Sequence, residues 1–170
     1  MLRKCTPNEF TIDGEIAYIY LTDRDGQPKA VAVIDVEDLG RVLVAGRWHA
    51  NPNPSGFYAQ SSSGELALHR FVLGAAPDDI IDHQNHNTLD CRKSNLRACT
   101  HTENMQNRRG AHRHSRSGVR GVYWHNRKQR WGARVWANNK KHHVGYFMSL
   151  DEAESAVIAA RQRLHGDFAS

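Results

Sequence analysis

A short polar stretch, residues 110–118 with the sequence GAHRHSRSG, constrains the architecture of this chain more than any other feature. It contains no apolar residue larger than Ala, so it has nothing to bury in a core and is typical of a linker. We therefore predict an N-terminal domain over residues 1–110, a linker over 111–118 and a C-terminal domain over 119–170. Each domain then has to build its own hydrophobic core.

The charge is divided unevenly between these regions. Residues 1–110 carry 12 Lys and Arg against 14 Asp and Glu, a balance of −2, whereas residues 111–170 carry 11 against 4, a balance of +7. The two balances sum to the net charge of +5. A basic block of this size is typical of a surface that binds a polyanion, most often nucleic acid. The alternative is a basic surface that serves only solubility.

Apolar runs and cysteines bear on the compartment. No run approaches the roughly 18 apolar residues of a membrane span. The N-terminal MLRKCTPNEF lacks the apolar segment of a secretion signal. The three cysteines are an odd and sparse set that suits a reducing compartment, and we expect buried or incidental thiols. We predict a cytoplasmic protein that is neither secreted nor bound to a membrane.

Short apolar runs in the N-terminal region predict strands. Residues 16–21, 30–36 and 41–48 (IAYIYL, AVAVIDV and RVLVAGRW) are rich in β-branched side chains and are separated by turn sequences. Residues 57–74 predict a hairpin through SSSG, followed by a buried segment.

Two capping boxes predict helices. The sequence THTE at 100–103 should start a short helix over residues 101–109, closed by Gly110. The sequence SLDE at 149–152 should start a second helix, in which small apolar residues recur at helical spacing until Gly166.

The C-terminal region has the order β-β-β-α. VRGVYWH, RWGARVWA and KHHVGYF are short runs with alternating side chains, joined by the turn sequences NRKQ and NNK. The Ala-rich face of the second predicted helix would let it lie close to such a sheet. We predict an α+β fold, with a β-rich N-terminal domain followed by a small three-stranded antiparallel sheet packed on one helix.

Residues 81–97, IDHQNHNTLDCRKSNLR, place Asp82 beside His83 in a polar, Asn-rich segment. Hydrolysis of a phosphodiester needs a base for water and a cation for the phosphate. Asp82 is a candidate ligand for a hard cation and His83 a candidate base near neutral pH. Asn104, in the first turn of the predicted helix, can bring a neutral oxygen ligand, and Asn95 can brace the loop through its amide. The alternative is a solvated Asp-His pair.

The order HRFVLG, DHQNHNTLDCRKSNLRACT and TENMQNRR resembles the HNH endonuclease family, with spacings of 12 and 9 between His83, Asn95 and Asn104. The resemblance implies a ββα-metal site over about residues 66–109. It also implies that Asp82 and Asn104 bind a single divalent ion, Mg²⁺ or Mn²⁺. In such a site His83 is the general base and Asn95 holds the loop in shape.

The resemblance also covers the His-Arg dipeptide before the motif, and the sequence departs from the usual family pattern at three places. It places His69 and Arg70 on a strand leading to the site, with Arg70 a candidate contact to phosphate. Residues 85–87 read Asn-His-Asn where relatives usually have Asn-Gly-Asn, so His or Asn has to adopt a positive φ. Residues 90–92 read Asp-Cys-Arg in place of Asp-Asn-Arg, and the third motif position is Asn104, as in one branch of the family, rather than His. These changes remove no needed chemical group.

A structural zinc site is the competing interpretation of this segment. Cys91 and Cys99 lie near several histidines, but they form no C-x-x-C pair, and a spacing of eight is not a usual ligand pair. The sequence therefore argues against structural zinc. We interpret His112 and His114 as solvated or DNA-facing residues of the linker.

Residues 117–168 resemble the Apetala-type (ethylene-response-factor) DNA-binding domain. The matching sequences are RGVY, RWGARV, HVGYF, the helix DEAESAVIAA and the closing HGDFA. The resemblance implies that the three-stranded sheet lies in the major groove of duplex DNA. The cations expected to contact phosphates or guanine edges are Arg120, Arg127, Arg130, Arg134, Lys140 and Lys141. Trp131 and Trp136 are expected to offer flat surfaces among them.

Strand alternation sorts some of these residues. In WGARVW, Arg134 and Trp136 share one face and Val135 lies on the other, so we expect the first two at the DNA and Val135 in the core. We expect Tyr146 and Phe147 in the core. Plant members usually have other residues where Arg134 and Trp136 stand, so their target sequence is not carried over.

The whole chain is similar to phage- and prophage-type HNH homing endonucleases that carry an Apetala-type domain. We predict a Mg²⁺-dependent endonuclease that cuts double-stranded DNA in a bacterial or phage-infected cell, as a monomer or homodimer, with no cofactor besides the metal. One metal site nicks one strand, so a double-strand break needs a dimer or sequential cuts. The alternative is a non-catalytic, sequence-specific DNA-binding protein whose nuclease site has lapsed. A zinc-stabilised RNA-binding module would need cysteine pairs or a stacking motif.

Overall fold

The computed structural model of the chain describes residues 6–23, 25–54, 56–107, 110–111, 114–138 and 140–169. They form two compact units, Met1–Cys99 and Thr100–Ser170. The division precedes the predicted linker, so the short helix after residue 100 groups with the C-terminal unit rather than with the N-terminal one. His112 lies outside the described residues.

The N-terminal unit is built on a five-stranded sheet in which the second strand pairs with three others. Ala17, Ile19 and Leu21 of that strand are fully buried and alternate with more exposed residues, as a strand with one face on the core requires. Strands one to three are antiparallel, strands four and five form a hairpin, and one parallel pair joins strands two and four. The strands are β1 (Phe10–Asp13), β2 (Ile16–Thr22), β3 (Pro28–Asp35), β4 (Trp48–Asn53) and β5 (Gly56–Ser61).

The strand predicted over residues 41–48 is wrong. A 3-10 turn, Val36–Asp38, leads into the helix α1 (Leu39–Val44), and β4 begins only at Trp48. Leu39 and Val42 are buried at a spacing of three, which suits a helix and not a strand. The β-branched run therefore indicated the wrong element, because burial overrode propensity.

The strand predicted to carry His69 and Arg70 is also wrong. These residues lie in the helix α2 (Leu68–Leu73), which buries Leu68 and Val72 and ends at the left-handed Gly74, φ 62°. The predicted hairpin through SSSG is reduced to one antiparallel bridge, and the hairpin that forms pairs β4 with β5 up to Asn53 opposite Gly56.

Two short strands and a helix cover the remaining part of the Asn-rich segment. The antiparallel pair β6 (Ile80–His83) and β7 (Leu96–Cys99) flanks the loop 84–95. The helix α3 (His101–Gln106) follows and has the predicted capping box, but it ends before the predicted residue 109. Arg108 and Arg109 lie outside the described residues.

The C-terminal unit has the predicted order β-β-β-α. Its antiparallel sheet comprises β8 (Val122–His125), β9 (Arg130–Ala137) and β10 (Lys140–Phe147), and the helix is α4 (Leu150–His165). The second capping box is present, and Gly166 follows the helix with φ 55°. Ala133, Val135 and Val122 pack with Ala153, Val157 and Ala160 of α4. The fold is thus of mixed α+β class.

Small residues let the helix approach this sheet. A Cβ placed on Gly121 would lie 2.5 Å from the Arg134 carbonyl oxygen and 2.9 Å from a methyl carbon of Val157, besides requiring φ +84°. No helix among the described residues is long and apolar enough to cross a membrane.

Candidate active site

Asn95 holds the two ends of the loop 84–95 together. Its Oδ1 accepts a hydrogen bond from the Asn85 amide at 2.9 Å, and its Nδ2 donates to the Asp90 carbonyl oxygen at 2.7 Å. Its own carbonyl accepts from the Gln84 amide at 2.9 Å, and the residue is 6% exposed. The bracing contacts expected of Asn95 are therefore present.

Asp90 anchors the middle of the same loop. Its carboxylate accepts from Arg92 Nε at 2.7 Å and Nη2 at 2.6 Å, and from Asn85 Nδ2 at 2.8 Å. The hydrogen bonds from Arg92, more than anything else, lower the pKa of Asp90, so this carboxyl is charged at neutral pH. Backbone bonds from Val33 to Leu89 and from Cys91 to Val33 fasten the loop to β3.

The tight turn of the loop uses a non-glycine residue. His86 has φ 63°, which confirms the expectation that His or Asn would take a positive φ where relatives have Gly. The Asn87 amide donates to Asn85 Oδ1 at 2.8 Å, which closes a local turn around that residue.

Asp82 and His83 occupy successive positions of β6 and therefore project to opposite faces of the β6–β7 pair. Asp82 pairs with Arg97 of β7, and His83 pairs with Leu96, which belongs to the buried core. Both are nearly buried, Asp82 at 7% and His83 at 5% exposure.

Three rings meet on the His83 side. The His83 ring centroid lies 5.0 Å from that of His69 on α2 and 6.0 Å from that of Tyr58 on β5, and Tyr58 and His69 are 5.4 Å apart. The helical placement of His69, which sequence patterns did not predict, turns its ring into this cluster. Tyr58 has no sequence motif that would have indicated its position.

Burial sets the protonation of this cluster. Desolvation lowers the pKa of His83 below its ordinary value, although the charges of Asp82 and Asp90 oppose the change. Burial, helped by the charges of His83 and Arg70, lowers the pKa of His69 to about 4. Burial and the charges of Asp82 and Cys91 raise the pKa of Tyr58. His83 is therefore a neutral imidazole near pH 7, able to accept a proton.

The carboxylate of Asp82 is held by a cation that sequence reasoning missed. Arg97 donates to Asp82 Oδ2 from Nε at 3.0 Å and from Nη2 at 2.8 Å. The two side chains are 14% and 8% exposed, so the pair is largely withdrawn from water. Only the strand register reveals this pair, since the residues are 15 apart in sequence.

The two predicted metal ligands differ in their surroundings. Asp82 has a nearly buried carboxylate that holds a guanidinium cation, whereas Asn104 is exposed on α3. Among the described residues, no three or more His, Cys, Asp or Glu side chains gather to hold a metal ion by themselves. Cys91 is buried, which raises the pKa of its thiol, and Cys99 donates to the Ile80 carbonyl oxygen at 3.6 Å.

The C-terminal sheet has one face on α4 and one away from it. Cross-strand partners lie on the same face, so the register assigns each side chain. The face away from α4, here called the outer face, carries Tyr123, His125, Arg130, Arg134, Trp136, Lys141, His143 and Tyr146.

Cations stack on rings across the outer face. The Arg134 guanidinium lies 4.7 Å from the Tyr123 ring centroid, and Lys141 Nζ lies 5.6 Å from that of Trp136. Lys128 Nζ lies 3.9 Å from the Tyr146 ring. Trp136 is 60% exposed, an unusual position for a large apolar side chain that buries nothing in the unit's core.

The strand register assigns the aromatic rings of Tyr146, Phe147 and Trp131 to a face of the sheet. Tyr146 lies on the outer face, where its ring is 5.0 Å from His125, so its assignment to the core is wrong. Phe147 packs at the core, as predicted. Trp131 also packs at the core rather than offering a flat surface outside, because its strand position is on the α4 side.

The predicted DNA-contacting cations divide into two groups. Arg130, Arg134 and Lys141 lie on the outer face, and Arg127 is exposed in the turn between β8 and β9. Lys140 pairs with the buried Ala137 and so lies on the side of α4.

Two other predicted cations are engaged with backbone oxygens. Arg120 donates to the carbonyls of Gln106 at 3.0 Å and Met105 at 2.9 Å. Arg70 donates to the carbonyl of Pro77 at 3.0 Å and to that of Asp79 at 2.6 Å, and it also donates to the carbonyl of Ala76. These contacts brace the segments at 105–106 and 76–79.

Residues 68–106 match the family of HNH endonucleases. The chain contains an HNH endonuclease family domain. The matched segment begins with α2, includes the β6–β7 pair and its loop, and ends with α3. This domain indicates a nuclease, and HNH nucleases typically use a divalent metal and act on DNA.

Two similar proteins come from a virus of amoebae and a bacteriophage. An uncharacterized HNH endonuclease, L560, of Acanthamoeba polyphaga mimivirus is 27% identical over 171 residues, covering 97% of this chain and 85% of that protein. Protein 3.8 of Escherichia phage T7 is 33% identical over 91 residues, covering 52% of this chain and 72% of that protein. No solved structure matches the chain.

Proposed function

We propose that this chain is a metal-dependent endonuclease that hydrolyses phosphodiester bonds of double-stranded DNA, in the manner of homing endonucleases. The observation that carries the proposal is the Asp82-His83 pair on β6, nearly buried and inside the segment that matches HNH endonucleases. The reaction needs a general base for water and a ligand for a cation. The imidazole and the carboxylate can supply these from adjacent, oppositely directed positions.

His83 is the general base in this proposal. Burial keeps its imidazole neutral, so the ring accepts the proton of the attacking water near pH 7. Tyr58 and His69 pack around the ring and limit its freedom. Asn95 keeps the following loop closed and thereby fixes the end of β6.

Asp82 and Asn104 are the proposed ligands of one Mg²⁺ or Mn²⁺ ion. When bound, the ion neutralises charge on the phosphate and stabilises the leaving oxygen. Both residues lie within the segment that matches HNH endonucleases. We do not invoke a structural zinc.

The C-terminal unit is the proposed DNA-binding module, similar to an Apetala-type domain. The outer face supports this, because Arg130, Arg134 and Lys141 stand among the rings of this face of the antiparallel sheet, of which Trp136 is exposed. Guanidinium groups bind guanine edges bidentately, and a two- or three-stranded sheet fits the major groove. The charge balance of +7 over residues 111–170, 11 Lys and Arg against 4 Asp and Glu, favours a polyanionic partner.

We further propose that the protein works in the cytoplasm of a bacterial or phage-infected cell. One metal site per chain implies nicking by a monomer, and a double-strand break requires a homodimer or sequential cuts.

Cleavage of supercoiled plasmid tests the proposal. Purified protein with Mg²⁺ should convert the plasmid to nicked circles first, and excess EDTA should stop the conversion. Linear product without a nicked intermediate would indicate a dimer. Tight DNA binding with no cleavage in Mg²⁺ or Mn²⁺ would instead favour a DNA-binding protein whose nuclease site has lapsed.

A further inference from the structure

We propose that Arg97 is an exchangeable counter-ion of the metal site. It holds the carboxylate of Asp82 before a divalent cation is loaded and contacts a DNA phosphate afterwards. This inference rests on the proposed nuclease function, and the experiment below separates the failure of one from the failure of the other.

The pair is built into the strand register. Asp82 and Arg97 are direct cross-strand partners, so their Cβ atoms lie on one face of the β6–β7 pair. Arg97 Nε and Nη2 both donate to the same oxygen, Asp82 Oδ2, at 3.0 Å and 2.8 Å. With exposures of 14% and 8%, the two charges are little screened by water.

A divalent cation and the Arg97 guanidinium compete for this oxygen. A divalent ion binds a carboxylate oxygen at about 2.0–2.6 Å, which would place it against two guanidinium N–H groups. Because the pair is only slightly exposed, the repulsion is not relieved by solvent. The guanidinium therefore has to leave Oδ2 when an ion binds there, whereas the backbone of β7 keeps its position.

The released side chain is suited to phosphate. A guanidinium presents a planar fork of N–H donors that matches a phosphate, and its charge does not depend on pH. Its long side chain can turn away from Asp82 while Leu96, the preceding residue, stays in the core. Arg97 would thus neutralise Asp82 in one state and contribute to phosphate binding in the other.

A second pair in the same loop offers a matched control. Arg92 donates to Asp90 Oδ1 from Nε at 2.7 Å and to Oδ2 from Nη2 at 2.6 Å, so it too is an Arg–Asp pair, here joined through both oxygens. Asp90 is bound in addition by Asn85 and anchors the loop to β3, and it is not a proposed metal ligand. Loss of Arg92 should leave the affinity for divalent ions unchanged.

Calorimetric titration of the full chain with Mn²⁺ tests the exchange. Arg97→Gln removes the competing charge and should bind Mn²⁺ about tenfold more tightly than the wild type. Arg92→Gln should match the wild type, and Asp82→Asn should lose the ion. At saturating Mn²⁺, Arg97→Gln should nevertheless cut DNA more slowly, on the order of 10²-fold, because a charged donor to the phosphate is missing.

Tighter ion binding together with slower cleavage distinguishes exchange from a structural role. Weaker or unchanged ion binding by Arg97→Gln would overturn the proposal and leave Arg97 as a support for Asp82. Tighter binding with undiminished cleavage would overturn the phosphate contact. A wild type that neither binds Mn²⁺ nor cuts DNA would remove the nuclease function itself, and with it this inference.

Arg97→Lys keeps the test valid if Arg97→Gln does not fold. Lysine retains a cation near Asp82 but loses the fork, so ion affinity should stay within about threefold of the wild type while cleavage slows. Thermal unfolding followed by circular dichroism shows which variants fold. Equal cleavage by Arg97→Lys and the wild type would contradict the proposed role of the guanidinium fork.

Discussion

The loop around His83 and the outer face of the C-terminal sheet both carry polar and charged side chains, but their construction is opposite. In the loop, Asn95 and Asp90 are buried, and their side chains bond to neighbours within the same segment. On the outer face, Trp136 and Lys141 are exposed, and the contacts are ring-to-cation stacking. The first arrangement holds a few atoms in place for chemistry, and the second leaves side chains available to a large partner.

Substitution of the proposed metal ligands should give the largest loss of cleavage. Asp82→Ala should remove nearly all cleavage, whereas Asn104→Ala should remove less, since a neutral amide binds a hard cation more weakly than a carboxylate. Raised Mg²⁺ or Mn²⁺ should partly restore the Asn104 variant in a cleavage assay. Full activity of the wild type in excess EDTA would contradict the metal assignment altogether.

Loss of the hydrogen bonds that Asn95 makes across the loop should have the next-largest effect, a loss of folding stability. Asn95→Ala leaves the Asp90 carbonyl without its buried partner, at about 1–3 kcal/mol, and also removes the part-buried bond from the Asn85 amide. Denaturant unfolding should show this loss of stability. Asn87→Ala is the matched control, because Asn87 is exposed and its Oδ1 accepts only a weak, solvent-exposed bond of 3.1 Å. Equal stability of the two variants would show that the loop is not held by Asn95.

The burial of His69 should appear as a dependence of stability on pH. Its folded-state pKa of about 4 lies below the ordinary value of 6.5, so between these values the unfolded chain binds the proton and the folded chain does not. The free energy of unfolding should therefore fall as the pH is lowered from 6.5 to 4, by at most roughly 3 kcal/mol.

Denaturant unfolding at several pH values checks this contribution of His69. The variant His69→Gln has no group that titrates at this position, so its stability should depend less on pH over the same interval. If the wild type and the variant lost the same stability, His69 would not be buried in the neutral form.

The outer face should show smaller effects, confined to binding. Arg134→Ala should weaken duplex binding by about 1–3 kcal/mol and relax the preference at one base pair. Lys141→Ala should weaken binding to all sequences alike and reduce the dependence on salt. Lys140 lies on the α4 side of the same strand, so Lys140→Ala should weaken duplex binding less than Lys141→Ala. Fluorescence anisotropy with labelled duplexes at two salt concentrations measures all three, and a larger loss for Lys140→Ala would refute the assignment of the faces.

The C-terminal unit followed the sequence patterns closely, because its strands alternate and its helix is capped. Ala133, Val135 and Ala137 alternate with the half-buried Arg134 and the exposed Trp136, and Ser149 with Glu152 forms the capping box. The position of Tyr146 was not predictable in the same way. The strand register shifts between His143 and Gly145, and such a bulge changes which face each later side chain occupies.

The N-terminal unit departed further from sequence expectation. The β-branched run before Trp48 forms a helix, since buried residues three apart decided the element rather than strand propensity. The segment around Val72, which the family resemblance placed on a strand, is also a helix with buried residues four apart. The loop contacts of Asn95 were predictable from the motif. Arg97 was not, because an ion pair across two strands depends on a register that no single sequence reveals.

The cleavage rate of His83→Ala tests the central claim most directly. The variant and the wild type are compared at saturating protein and Mg²⁺ on the same plasmid, with DNA binding measured in parallel. Because a positioned base contributes roughly 10²–10⁴-fold, the variant should cut slower by that factor and bind DNA as tightly as the wild type. Cleavage at the wild-type rate would remove His83 from the mechanism and contradict the assignment of this site.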